Sequence, residues 1–257
     1  MNYPQIADYI TSWLSSYCKQ ANLKGFIIGI SGGIDSAVTA TLCAQTGMDV
    51  LILNLPIRQT NAEYARAIEQ TKDLEKRFPN VKSMKIDLTP SFESIEQTVT
   101  ADINDNHLVM ANTRSRLRML TLYAIGQANG LLVAGTGNKI EDFGVGFFTK
   151  YGDGGVDISP IADLTKTDIF HLAKELNVVA SIQKAKPTDG LWEDGRSDED
   201  QIGATYPESE WAMEFDGDET NLSPRQQEVL VIYRRLHRIN LHKIEPIPVC
   251  IIPENLK

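Results

Sequence analysis

The chain has 257 residues, of which 42% are hydrophobic and 23% are charged, and its formal net charge is −9. This length and composition are typical of a globular α/β domain, and the acidic balance argues against nonspecific binding to nucleic acid or anionic membranes. The sequence begins with no basic and apolar leader and contains no apolar run long enough to span a membrane, so we expect a cytoplasmic protein.

Helices and strands alternate along the first half of the chain. Helical spacing of apolar residues predicts helices at residues 3–21, 36–45, 61–78 and 106–129. Short apolar runs between them predict strands at residues 26–30, 50–55, 81–86 and 131–134. This alternation indicates βαβ units and a parallel sheet, with ligands beyond the carboxyl ends of the strands.

The composition changes after the fourth predicted strand. Residues 135–157 are rich in glycine and in charges of both signs, which favours a binding loop over a flexible surface loop. A helix is predicted over 166–176 with Thr165 as its cap, and another from Ser223 to residue 241. The acidic segment 189–200 between them is predicted to be a loop whose charges are solvated. We expect a single domain over residues 1–257.

The three cysteines are scattered and form no Cys-x-x-Cys pair. Cys18, Cys43 and Cys250 all lie in apolar contexts, so we expect buried free thiols. A zinc ribbon or a thiol-based sulfur-transfer site has no basis in this sequence.

The most informative segment is Gly-Ile-Ser-Gly-Gly-Ile-Asp-Ser, at residues 29–36, which joins the first predicted strand to the next helix. Such a turn directs unpaired backbone N–H groups and a helix dipole at one point, which suits a phosphate. It is not a Walker A loop, because no Gly-Lys-Ser/Thr ends it. A simple tight turn is the structural alternative. Ser31, Asp35 and Ser36 favour function, since they add hydroxyls for phosphate oxygens and a carboxylate for a metal.

The segment resembles the pyrophosphate-binding loop of the ATP pyrophosphatases, which split ATP between its α and β phosphates. Later motifs resemble the NAD synthetases in particular. They are Asn-Thr-Arg-Ser-Arg-Leu-Arg-Met at 112–119, Gly-Thr-Gly-Asn-Lys-Ile-Glu at 135–141, Phe-Phe-Thr-Lys-Tyr-Gly-Asp-Gly at 147–154, Asp-Ile-Ser-Pro-Ile at 157–161, Leu-Thr-Lys-Thr at 164–167, Lys-Pro-Thr at 186–188 and His-Lys at 242–243. Ser115 stands where that family usually has alanine, and residues 244–257 match it poorly.

The resemblance implies an adenine nucleotide alpha-hydrolase-like fold, with a doubly wound, mainly parallel five-stranded sheet flanked by helices and followed by C-terminal helices. It implies the ATP- and Mg²⁺-dependent amidation of deamido-NAD (nicotinic acid adenine dinucleotide) by ammonia. The products are NAD, AMP and pyrophosphate, and the intermediate is an NAD-adenylate. Both steps need alignment and charge stabilisation more than an acid–base pair.

The resemblance also assigns residues to each ligand. The ATP-binding set is Gly29, Ile30, Ser31, Gly32, Gly33, Ile34, Asp35, Ser36, Gln59, Thr136, Lys166 and Thr188. The deamido-NAD-binding set is Arg116, Lys150, Asp157, His242 and Lys243. Asp35 and Glu141 would hold Mg²⁺. The expected catalytic residues are Asp35, Lys166 and Asp157, where Lys166 offsets charge at the α-phosphate and Asp157 meets either a substrate hydroxyl or the incoming ammonium.

Members of the family bind the dinucleotide across a homodimer interface at the helix predicted over 106–129. Apolar residues nearly encircle this helix here, which favours burial in a core or against a partner. Only 28 residues precede Gly29, too few for a glutaminase domain, so we expect ammonia itself as the nitrogen donor. Two alternatives stay open: another amide-forming or tRNA-modifying ATP pyrophosphatase, and a nonenzymatic nucleotide-binding protein with no use for Glu141 or Lys166.

Overall fold

Four parallel strands form the sheet of this protein in a computed structural model, which describes residues 1–188 and 197–257. They are β1 (Gly25–Gly29), β2 (Asp49–Asn54), β3 (Val81–Lys85) and β4 (Leu131–Val133), in the order β3-β2-β1-β4. The expectation of five strands is therefore wrong for the described residues. Beyond β4 a single parallel bridge joins Ala134 to Ile158, and Pro160, which has no backbone N–H, follows two residues later.

Helices cover both faces of this sheet. In chain order they are α1 (Tyr3–Gln20), α2 (Ile34–Gln45), α3 (Asn61–Arg77), α4 (Thr89–Thr98), α5 (Ala101–Asn104), α6 (His107–Asn129), α7 (Lys166–Glu175), α8 (Ala180–Gln183), α9 (Asp198–Ile202), α10 (Tyr206–Glu214) and α11 (Pro224–Ile244). A π-helix, Lys139–Val145, lies between β4 and α7, and short 3₁₀ segments occupy Glu219–Asn221 and Glu254–Leu256.

The alternating side chains of β1 separate two hydrophobic cores. Phe26 and Ile28 point into a cluster built with α1, α2 and α7, whereas Ile27 points into a cluster built with α4 and α6. A third cluster joins the π-helix to α10 and α11. Apolar packing on both faces of a parallel sheet is the doubly wound arrangement, so that part of the predicted fold is confirmed.

The predicted strands and long helices all form, each within about three residues of the predicted bounds. Thr165 caps α7 and Ser223 caps α11 through side-chain hydrogen bonds, as predicted. Of the segment predicted as an acidic loop, residues 189–196 lie outside the described residues. Its end forms α9, because the side chains of Ser197 and Asp200 cap that helix reciprocally.

The C-terminal segment after α11 contradicts one expectation. Cys18 and Cys43 are buried as predicted, but Cys250 is exposed. Its neighbours Val249 and Ile251 are also exposed, because this proline-containing segment joins none of the three hydrophobic clusters. Among the helices that the structure describes, none is both long and apolar enough to cross a membrane.

Candidate active site

A cavity of about 710 Å³ opens beyond the carboxyl ends of β1, β2 and β4. The chain continues from β1 into α2 on one face of the sheet, while α6, on the other face, leads into β4. A crevice at such a reversal is where doubly wound proteins bind their ligands. The glycine-rich loop, α6, the π-helix and the end of α11 all contribute to the cavity wall.

Hydrogen bonds among its own residues shape the glycine-rich loop at 29–36. The Ser36 hydroxyl donates to the Gly33 carbonyl at 3.0 Å and lies 3.1 Å from the Ser31 hydroxyl. Gly32 has φ +86°, and a Cβ there would lie 2.4 Å from the Glu63 carbonyl oxygen, so only glycine fits. Within the described part of the chain, no side chain caps the first turn of α2. Its N–H groups are therefore available to a phosphate.

Lys166 joins two carboxylates at the inner end of the cavity. Its Nζ donates to Asp35 Oδ2 at 2.7 Å and to Glu141 Oε1 at 2.9 Å, and the residue is only 2% exposed. The Tyr206 hydroxyl donates to the same Glu141 oxygen at 2.5 Å. The first turn of α2, the π-helix and the first turn of α7 thus contribute one charged side chain each.

The three charges shift one another's pKa values. Burial acts to lower the pKa of Lys166, but the two carboxylates outweigh it and hold that pKa above its ordinary value. Burial raises the pKa of Asp35, and the negative charge of Glu141 adds to this rise. The pKa of Glu141 is lowered despite its burial, because Lys166 and the Tyr206 hydroxyl favour the carboxylate. Lys166 is therefore cationic throughout the neutral range.

Asn138 connects the two carboxylate-bearing segments. Its Nδ2 donates to Asp35 Oδ1 at 3.1 Å, while its Oδ1 accepts the backbone N–H groups of Ile140 and Glu141, both at 3.1 Å. The residue is fully buried. All three bonds depend on an amide, because a donor and an acceptor are needed on one side chain.

The two carboxylates suit Mg²⁺ only together with oxygens from a bound nucleotide. Among the described residues, no three His, Cys, Asp or Glu side chains are grouped so as to hold a metal. Asp35 and Glu141 do converge, since both bind the same Lys166 nitrogen. Mg²⁺ takes few carboxylates together with phosphate oxygens and water, so this pair suits it when a nucleotide phosphate is present.

Basic residues gather at the outer end of the cavity. Lys150 Nζ donates to the His242 carbonyl, and Arg116 Nε donates to the Lys150 carbonyl at 3.2 Å. Lys243 Nζ donates to the carbonyls of Gly146 and Phe148. The structure thus brings four members of the predicted deamido-NAD set together, and all four line the cavity.

Asp157 lies apart from the other predicted site residues. Its Oδ2 accepts the Val133 N–H at 2.8 Å, its Oδ1 accepts the Tyr123 hydroxyl at 3.0 Å, and it is absent from the described cavity wall. The remaining predicted ATP residues, Gln59, Thr136 and Thr188, all line the cavity. The roles assigned to these residues stay predictions.

Several residues that shape the site were not predicted. Asp153 Oδ1 accepts from the Ser115 hydroxyl at 2.7 Å and from the Thr149 N–H at 3.1 Å, and the Ser115 oxygen accepts the Asp153 N–H at 2.9 Å. Thr149 in turn donates to Asn112 on α6 at 2.6 Å. These bonds fix the loop that carries Lys150. Their signal was present in the sequence, because all four side chains lie within the quoted motifs at 112–119 and 147–154.

Comparison with known proteins identifies the family. The model of a family described as NAD synthase matches residues 6–240. The chain belongs to the NAD synthase family. This membership confirms the family recognised from the motifs, identifies the chain as a ligase, and decides against the nonenzymatic alternative that the sequence left open.

Curated members of the NAD synthase family cover most of this chain. The NH(3)-dependent NAD(+) synthetase of Finegoldia magna is 42% identical over 209 residues, which are 81% of this chain and 83% of that protein. The enzyme of the same name from Mesoplasma florum is 34% identical over 95% of both chains. Among solved structures, an NMN synthetase from Francisella tularensis superposes with a TM-score of 0.84, at 32% identity over 99% of both chains.

Proposed function

We propose that this protein is an ammonia-dependent NAD synthetase, which converts deamido-NAD, ATP and ammonia to NAD, AMP and pyrophosphate. The observation that carries the proposal is a single cavity with two chemically different ends. Its inner end joins a phosphate-binding loop to the cluster of Lys166, Asp35 and Glu141. Its outer end gathers basic side chains that suit a pyrophosphate and a carboxylate.

In the first step, a carboxylate oxygen of the nicotinate attacks the α-phosphorus of ATP. A phosphorus–oxygen bond forms there while the bond to the β-phosphate breaks, so pyrophosphate leaves and an acyl-adenylate remains. The glycine-rich loop, with Ser31 and Ser36, holds the leaving phosphates through N–H groups and hydroxyls. Lys166 lies beside the same loop through its bond to Asp35, and it offsets the charge that builds on the α-phosphate.

In the second step, the nitrogen of ammonia attacks the activated carbonyl carbon. A carbon–nitrogen bond forms, the carbon–oxygen bond to AMP breaks, and the nitrogen releases one proton as it becomes an amide. Arg116 and Lys150 hold the dinucleotide near Lys243, and they align its carbonyl with the incoming nitrogen. Asp157 lies outside the described cavity wall, so its assigned contact with a substrate hydroxyl or with the incoming ammonium stays a proposal.

Asp35 and Glu141 would hold Mg²⁺ once a nucleotide phosphate supplies the remaining oxygens. The ion, when bound, would neutralise charge on the leaving pyrophosphate. In the structure, the Lys166 ammonium group lies between these two carboxylates and neutralises part of their charge.

The test follows NAD and pyrophosphate from the purified chain with ATP, MgCl₂, ammonium chloride and deamido-NAD. Both products should appear in equal amounts, and glutamine should be the poorer nitrogen donor. Lys166→Ala should lower kcat roughly 100-fold or more, the range seen on removing a charge-stabilising group. Lys174→Ala, at the exposed end of the same helix, is the matched control and should leave kcat unchanged. Absence of pyrophosphate, or preference for glutamine, would contradict the proposal.

Nicotinic acid mononucleotide is a second candidate substrate. The observation that favours it is the close superposition, over 99% of both chains, on the protein described as an NMN synthetase. The chemistry of amidation would be the same, since only the adenylyl half of the substrate is missing. Comparing kcat/KM for the mononucleotide and for deamido-NAD in the assay above decides between them, and the larger value identifies the preferred acceptor.

We also propose a homodimer, with α6 at the interface. Leu122 of α6 is buried in the core, but Leu108 and Leu120 are 58% and 66% exposed, and Tyr123 is 36% exposed. Apolar residues exposed on one long helix suit a second copy. Analytical ultracentrifugation at micromolar concentration should show a dimer, and Leu120→Glu should shift it toward monomer. A wild-type monomer would overturn the proposal.

A further inference from the structure

Arg118 is a cationic residue of the cavity wall to which the motifs assigned no role. It lies on α6 two residues after Arg116, and its Nε donates to the carbonyl oxygen of Leu55, just beyond β2, at 3.1 Å. This contact fixes the guanidinium below the end of β2. The glycine-rich loop follows β1, the strand that pairs with β2, and Arg118 and this loop line the same cavity.

The guanidinium of Arg118 has more donors than protein acceptors. Arginine carries five N–H donors, and among the described residues only the one on Nε is engaged. No carboxylate in the described ranges lies within ion-pair distance of it. Arg118 therefore carries four further N–H donors on a partly buried side chain of the cavity wall.

The two carboxylates whose charges act on Arg118 are hydrogen-bonded elsewhere. Glu63 accepts from the backbone and the hydroxyl of Thr60, and Asp153 accepts from Ser115 and from a backbone N–H. Burial and the charge of Arg114 lower the pKa of Arg118 to about 10, while Glu63 and Asp153 act to raise it. Arg118 is therefore still cationic at neutral pH, and a half-buried cation without a contacting anion is unfavourable until a ligand provides one.

We infer that Arg118 binds a phosphate group of a nucleotide substrate, on the part of the cavity wall that α6 contributes. The inference rests on the proposed function for its choice of ligands. Two paired N–H groups of a guanidinium match two phosphate oxygens, which a lysine ammonium cannot do. The phosphate belongs either to ATP or to the pyridine nucleotide, and the two sources are separable by experiment.

The test is a calorimetric titration of the wild type, Arg118→Gln and Arg118→Lys with ATP, deamido-NAD and adenosine. Arg118→Gln should weaken binding of one phosphate-bearing ligand roughly 10- to 100-fold and leave adenosine binding unchanged. The ligand whose binding is weakened, either ATP or deamido-NAD, is the one that carries the bound phosphate. Arg118→Lys, which keeps the charge but not the paired donors, should recover only part of the affinity.

Arg114→Gln is the matched control on the same helix. Its guanidinium lies over the Phe92 ring, 5.7 Å from the centroid, and Arg114 is not part of the cavity wall that the described residues form. Its titrations should match those of the wild type. Unchanged affinity of Arg118→Gln for both ATP and deamido-NAD would overturn the inference, and so would an equal loss for adenosine. If Arg118→Gln fails to fold, the comparison between Arg118→Lys and the wild type carries the test.

The titrations separate this inference from the proposed function. A wild type that binds nucleotides through Arg118 but forms no NAD would contradict only the activity. A wild type that forms NAD, together with an Arg118→Gln variant of normal affinity and normal KM for both substrates, would contradict only the phosphate contact.

Discussion

Replacing Asn138 by aspartate should destabilise the protein in a way that depends on pH. The substitution keeps an oxygen for the N–H groups of Ile140 and Glu141, but it places a second carboxylate oxygen about where Nδ2 now lies, 3.1 Å from Asp35 Oδ1. At an effective dielectric constant near 20, two unit charges at this distance repel by about 5 kcal/mol. A favourable bond thereby becomes a repulsive contact.

Protonation limits the penalty. An aspartate with an unfolded pKa near 3.9 can avoid the repulsion by binding a proton. Keeping that proton in the folded state costs about 1.36 kcal/mol for each pH unit above 3.9. The substitution can therefore lower the unfolding free energy through this repulsion by at most about 5.6 kcal/mol at pH 8 and about 1.5 kcal/mol at pH 5. Because the folded variant holds a proton that the unfolded chain releases, its stability relative to the wild type falls as the pH rises.

Urea unfolding of the metal-free protein at pH 5 and pH 8 measures this difference. Asn138→Ala leaves two buried N–H groups without their acceptor, so it should cost about 1–3 kcal/mol for each. Asn61→Asp, at the exposed start of α3, should change stability by less than about 0.5 kcal/mol. A deficit of Asn138→Asp below about 1 kcal/mol at pH 8, or one that does not shrink at pH 5, would refute the reasoning.

Three further predictions concern the strands and the charged cluster. Tyr206→Phe removes a buried hydrogen bond to the Glu141 carboxylate, so it should lower the unfolding free energy by about 1.5–3 kcal/mol in urea titrations. Gly25→Ala should cost at least about 3 kcal/mol, because the new Cβ would lie 1.8 Å from the Asp49 carbonyl oxygen; soluble, folded protein of wild-type Tm would contradict this. Burial, aided by nearby carboxylates, raises the pKa of Asp142 to about 8, so the ionised group destabilises the fold increasingly from pH 4 to pH 8. Asp142→Asn should therefore raise Tm more at pH 9 than at pH 5, and equal shifts at the two pH values would count against that burial.

Much of the fold was predictable because its signals are local. The apolar run of β1, the glycines after it and the apolar start of α2 are continuous in the sequence, and they form the predicted strand, loop and helix. The cap of α7 by Thr165 was likewise readable from neighbouring residues. The prediction of a fifth strand had no local signal in the sequence, because it came from the resemblance alone. The described residues form only one isolated bridge beside β4.

The bonding partners inside the site could not be predicted. Lys166 was assigned to ATP and Glu141 to Mg²⁺, yet the two side chains bond directly across 25 positions of sequence. Their contact depends on the path of residues 135–157, where a glycine-rich chain carries no periodicity. Tyr206 was missed for a related reason, since α10 is short and its apolar residues show almost no helical pattern.

The exposed thiol of Cys250 makes the protein convenient for spectroscopy. The other two cysteines are buried, so a maleimide dye or a nitroxide should react at one position of the native chain without any substitution. Lys243 lines the cavity at its outer end. Cys250 lies beyond the end of α11, seven residues after Lys243. A label there would report on the C-terminal segment itself, through the distance between two labels in an assembly or the change in one label's mobility when nucleotide binds.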